Sequence, residues 1–136
     1  MADDSAASGP SPADQENPLA AYRKAESLVR RRPLAALKAL EPVLRVDPDK
    51  PSVQLLAARA YFHSAQLNRA ERAFNRVLEL DPADHYARFA LGRTLQRLGR
   101  LVEALGQLRM ASAMNPVPEY QEALGEVSAR IAVQRG

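Results

Sequence analysis

An all-α array of stacked helix pairs is the architecture that this chain of 136 residues predicts, and three observations carry the expectation. Asp47-Pro48, Asp81-Pro82 and Asn115-Pro116 set prolines 34 residues apart, twice over. Other positions keep the same interval. Ala36, Ala70 and Ala104 precede those prolines by twelve residues, Leu40, Phe74 and Leu108 by eight, and Val43, Val77 and Ala111 by five. The third observation is a stripe near the C-terminus, where Tyr120, Ala123, Leu124, Val127 and Ile131 recur at helical spacing. A period of this length belongs to a supersecondary unit that cannot bury its apolar face alone and so stacks on copies of itself.

Taken in order, the chain opens with residues 1–16, rich in Ala, Ser, Pro and Asp and without an aliphatic residue larger than Ala after Met1. Such a segment buries too little apolar surface to offset its ordering entropy, so a disordered acidic tail is expected. From residue 17 the pattern predicts helices at 18–31, 33–46, 52–64, 67–80, 85–98, 101–114 and 119–134. Pro48, Pro82 and Pro116 should each stop a helix, because proline lacks the N–H and disfavours helical backbone in the residue before it. Pro33 and Pro51 suit first-turn positions, where a missing N–H costs nothing. The small residues sit where two helices approach closely, and the large ones fill the space between neighbouring pairs.

These positions resemble the tetratricopeptide repeat, a 34-residue helix–turn–helix unit ending in proline. The resemblance divides residues 17–136 into repeats at 17–50, 51–84 and 85–118 and a solvating cap at 119–134. It implies a right-handed helical-repeat solenoid of antiparallel helix pairs. The second repeat carries Ala57-Ala58, Tyr61, Ala70, Phe74 and Pro82 in the family's positions. The third carries Leu91-Gly92, Ala104, Leu108 and Pro116, with Leu95 where tyrosine is common. The first departs, placing Ala20, Arg23, Lys24 and Ser27 where Trp, Leu, Gly and Tyr are usual.

Composition narrows the function. Without cysteine there are no disulfides and no thiolate metal sites. Met1-Ala2-Asp3-Asp4 is acidic where a secretory signal needs positive charge, and no apolar run approaches a membrane span, so a cytoplasmic location is expected. The chain contains no Gly-rich phosphate loop, metal-spaced histidine pair or nucleophile motif, so neither an enzyme nor a cofactor or metal site is expected. His63 and His85 fall at different positions of successive repeats, and Asp47, Asp49, Asp81 and Asp84 flank the prolines as turn and helix-end residues. Net charge is +3, yet residues 1–16 hold Asp3, Asp4, Asp14 and Glu16 and no base, leaving +7 on the rest. Sixteen of the nineteen basic residues are Arg, which admits two readings: the base composition of the genome, or bidentate binding of carboxylate or phosphate.

The resemblance assigns the inner, concave face to positions 2, 5, 9, 12 and 13 of each repeat. In the first these are Pro18, Ala21, Ala25, Leu28 and Val29; in the second, Ser52, Leu55, Arg59, Phe62 and His63; in the third, Tyr86, Phe89, Arg93, Gln96 and Arg97. Tyr120 and Arg130 of the cap join them. Arg59, Phe62, His63, Tyr86, Phe89, Arg93 and Arg97 are therefore the candidate partner-binding residues, Arg and aromatics being the types that dominate binding hot spots. Phe62 and Phe89 also fit a second role as packing between helices. Some members of the family clamp the C-terminal carboxylate of chaperone peptides with Lys, Asn and Arg. Here Ala21, Ala25, Leu56, Tyr86 and Ala90 fill those positions, so that ligand is not expected. The expected function is a protein-interaction adaptor taking a peptide or helix, acidic in character, in the groove. The alternatives are a structural subunit docking through its outer face, or a salt-sensitive nucleic-acid binder, the weaker because no base-reading set recurs across the repeats. Arg69, Arg72 and Arg76 on the outer face, beside Glu71 and Glu79, read as solvated ion pairs, and Arg30-Arg31-Arg32 as an exposed turn.

Overall fold

The computed structural model describes residues 17–136; the expected tail at 1–16 lies outside the described residues. Among the described residues seven helices follow one another: α1 (Pro18–Leu28), α2 (Pro33–Val46), α3 (Pro51–His63), α4 (Leu67–Leu80), α5 (His85–Arg97), α6 (Leu101–Met114) and α7 (Pro118–Arg135). No strand occurs among the described residues. Consecutive helices pack as antiparallel pairs, α1 on α2, α3 on α4 and α5 on α6, with α7 closing the far end against α6.

Local chemistry sets the helix ends. Pro18, Pro33, Pro51 and Pro118 each occupy a first-turn position. Asn17 Oδ1 accepts hydrogen bonds from the Leu19 and Ala20 N–H groups at 3.1 and 3.2 Å, and Asp84 Oδ1 accepts one from Ala87 at 2.9 Å. At the other ends, α2, α4 and α6 stop two residues before Pro48, Pro82 and Pro116. The intervening Asp47, Asp81 and Asn115 all leave the helical region, with φ of −140°, −145° and −149° and ψ of 65°, 84° and 97°, as a following proline disfavours helical backbone in the residue before it. α1 is three residues shorter than expected. Its Val29–Arg31 segment turns instead, because Arg32 must leave the helical region ahead of Pro33. Pro42 lies inside α2 and removes one hydrogen bond from that helix.

The 34-residue period is a period of burial. Ala36, Ala70 and Ala104, then Leu40, Phe74 and Leu108, then Val43, Val77 and Ala111 are all buried. Gly92 shows why the small positions are small: a Cβ there would stand 2.7 Å from Leu108 Cγ, so that the Leu108 side chain or the two helices would have to shift. The core is continuous but has two parts. One, around α1, α2 and the near side of α3, gathers Ala25, Val29, Leu40, Val53 and Leu56. The other runs from α3 to α7 and gathers Phe74, Phe89, Leu91, Leu108, Tyr120 and Val127. Tyr61 packs against both, so α3 is the seam.

Candidate interaction groove

The first helices of the three pairs and α7 stand side by side, and between them lies a cavity of about 430 Å³ open to solvent. Arg59, Phe62, His63, Tyr86, Phe89 and Arg93 all line it, so six of the seven candidate residues converge. Arg97 stands beside it. Its guanidinium lies 4.9 Å over the Phe62 ring and donates to the Phe62 carbonyl at 3.2 Å, fixing α5 to the end of α3. Both roles open to the phenylalanines are realised, one by each. Phe62 is half-buried and presents an edge to His63. Phe89, 9% exposed, stacks on Tyr120 with ring centroids 4.6 Å apart and forms the floor. Tyr86, 38% exposed, stands as a groove wall 6.2 Å from Phe89.

The arginines in register are not equivalent. Arg93 donates to Glu126 Oε2 and to Gln96 Oε1, each at 3.0 Å, and the Arg93 hydrogen bond holds the Glu126 carboxyl below its ordinary range. Arg93 thus latches α7 to α5. Arg59 has no acidic partner among the described residues, and its Nε is buried without an acceptor. His63 sits in the same uncompensated field: burial first, then Arg59, Arg30 and Arg97, push its pKa below the ordinary value of 6.5.

α7 supplies a different wall from the one the repeat positions suggested. Tyr120 is buried rather than lining the groove, its hydroxyl 2.9 Å from His85 Nδ1, and Arg130 does not reach the cavity. Glu119, Glu122 and Glu126 line it instead. α7 turns Tyr120, Ala123 and Val127 inward onto the preceding pair. The stripe one residue earlier, about 100° round the helix, then faces the groove. The i, i+3, i+7 spacing of those glutamates was the available signal. Arg30, from the turn after α1, is the other lining residue not among the candidates.

The outer face carries ion pairs between repeats. Arg76 bonds to Asp49 and Glu79, and Arg100 to Glu103 and Glu71. Those partners raise both guanidinium pKa values, through Asp49 chiefly for Arg76 and Glu103 chiefly for Arg100. Asp49 therefore serves as a bridge to the next repeat, whereas Asp81, accepting from Ala83 at 3.3 Å, and Asp84 serve the turn and the helix end.

Stacked helix pairs around one concave wall define a helical-repeat protein of the class that binds other proteins along that wall. The Tetratricopeptide repeat family matches residues 30–87 and 66–127, well over half of the chain, and the protein belongs to it. Solved structures agree on the fold. One of MamA superposes with a TM-score of 0.81 at 16% identity, covering 90% of this chain and 73% of that one. The first TPR domain of human RPAP3 gives 0.80 at 20% identity, covering 89% and 97%. The first TPR of Spaghetti (RPAP3), bound to the HSP90 peptide SRMEEVD, gives 0.79 at 21%, covering 88% and 96%. None of the curated proteins compared matches the chain in sequence. No helix among the described residues is long and apolar enough to cross a membrane.

Proposed function

We propose that this protein is a non-catalytic cytoplasmic adaptor that holds a peptide or helix of a partner protein in its concave groove. The observation that carries the reading is the convergence of Arg59, Phe62, His63 and Tyr86 on one cavity, with the Arg59 Nε buried and without an acceptor among the described residues. A partner carboxylate would satisfy that group in a charge-assisted hydrogen bond worth about 1.5–3 kcal/mol. The aromatic floor supplies the apolar contact that slows dissociation. Lacking the Lys, Asn and Arg clamp, with Ala21, Ala25, Leu56, Tyr86 and Ala90 in its place, the groove is not built for a chaperone C-terminal tail. Arg76 and Arg100 on the outer face are engaged with neighbouring carboxylates, which leaves less free charge there for nucleic acid. The test is cross-linking capture from native extract. Arg59→Ala with Tyr86→Ala should lose most of the captured partner at an unchanged melting temperature. Replacing Arg69, Arg72 and Arg76 together by Ala should retain it. The opposite pattern would move the interface to the outer face and make the protein a structural subunit.

A further inference from the structure

The two long walls of the groove are oppositely charged. On one side Arg30, Arg59 and His63 line the cavity, the first from the turn after α1 and the others from α3. On the other side Glu119, Glu122 and Glu126 line it from α7. Phe62, Tyr86, Phe89, Ala90 and Ala123 lie between. The one ion pair in the groove among the described residues, Arg93 with Glu126, joins α5 to α7 and leaves the basic wall unpaired with the acidic one. Arg30 and Arg59 on the basic side, and Glu119 and Glu122 on the acidic side, make none. Had the charges served the fold, they would be paired across the gap; they are held apart by an apolar floor. Arg59 is half-buried while Arg30, Glu119 and Glu122 are exposed at the rim, so a ligand that brings the complementary set gains most at Arg59 and is steered by the other three.

Building on the groove reading above, we propose that the occupant is a bipolar segment, with an acidic residue at one end, a basic residue at the other and an apolar side chain between. It lies across the groove with its acidic end at α1 and α3 and its basic end at α7. A uniformly acidic segment would meet Glu119 and Glu122 as like charges, and a uniformly basic one would meet Arg30 and Arg59, so the arrangement excludes both.

His63 reports occupancy independently. The charged groups facing it are Arg59 on its own helix, Arg30 after α1, Arg93 and Arg97 on α5, and Glu119, Glu122 and Glu126 across the groove. A carboxylate seated by Arg59 raises the His63 pKa from its lowered value, so binding takes up protons. Affinity then rises as the pH falls through the interval between the raised, bound value and the lowered, free one, and levels off below it.

The experiment uses three fluorescent synthetic peptides of equal length with the same central leucines: one acidic at one end and basic at the other, one acidic at both, one basic at both. Fluorescence anisotropy gives the affinities, and NMR titration of His63 locates binding. The bipolar peptide should bind about tenfold or more tighter than either other, one charged contact being lost in each. Arg30→Glu with Arg59→Glu should transfer preference to the doubly basic peptide, and Glu119→Lys with Glu122→Lys to the doubly acidic one. Melting temperatures should move little, because these four side chains hold no ion pair among the described residues. Equal binding of the bipolar and doubly acidic peptides, with a shifted His63 resonance, would overturn the bipolar rule and leave the groove reading standing. No binding by any peptide, with His63 unmoved, would overturn both.

Discussion

The first helix pair and the third occupy the same 34-residue unit of the repeat, yet they are built to different standards. α5 buries seven residues, from Ala87 through Leu95, whereas α1 buries Ala25 alone. At one shared position the third pair has Gly92, packed so closely that no Cβ fits against Leu108, and the first has Lys24, exposed. The turns differ as well. In the second and third pairs Ala65 and Gly99 take positive φ, 61° and 79°. The next residues, Gln66 and Arg100, return hydrogen bonds to the Tyr61 and Leu95 carbonyls at 2.8 and 2.9 Å. That is the left-handed cap that ends helices tightly. The corresponding Arg31 has no positive φ. Pro42 further weakens α2. The lesson is that the repeat's close approach is set pair by pair: where the small residue is present, as at Gly92, the two helices of that pair meet tightly, and where a long side chain such as Lys24 stands they do not need to.

The comparison makes predictions of decreasing size. Phe74→Ala empties the centre of the α3–α7 core and should cost about 3–5 kcal/mol, a large share of the roughly 5–15 kcal/mol that holds such a domain. In hydrogen exchange it should expose α3 to α7, whereas Leu40→Ala should release α1 and α2 first. If both variants open all seven helices together, the two halves of the core are not separable. Gly92→Ala should destabilise by about 1–3 kcal/mol through overpacking against Leu108. Lys24→Ala, at the same position of the first pair, should stay within about 0.5 kcal/mol in denaturant melts. Equal effects would mean that α1 packs on α2 as closely as α5 does on α6. Smallest, and opposite in sign, Ala65→Gly should stabilise by about 0.5–1 kcal/mol, relieving a left-handed backbone that alanine adopts at a cost. No change in the unfolding midpoint would place the strain elsewhere.

Most of the helix register was legible because it rests on local chemistry. Asp47, Asp81 and Asn115 are forced out of helix by the proline that follows each, and no distant contact is needed for that. The end of α1 was less legible, since Arg30-Arg31-Arg32 is compatible with helix until Pro33 is placed at the first turn of α2. In the groove, Arg59, Phe62, His63, Tyr86, Phe89 and Arg93 were found from their repeat positions alone. Their individual roles were not, because the repeat says which face a side chain shares and not which neighbour it meets.

By itself, then, the sequence determined the repeat unit, its length, most helix ends and the alternation of small and large core residues, all consequences of backbone rules and of a period equal to one helix pair. Only the tertiary structure decided that Arg93 is engaged by Glu126 while Arg59 is left open, and that Glu119 and Glu122 face the groove. Those outcomes depend on how α7 is rotated as it seats Tyr120 on Phe89. That rotation is chosen by the shape of the surface α5 and α6 present, so no spacing within α7 alone could specify it.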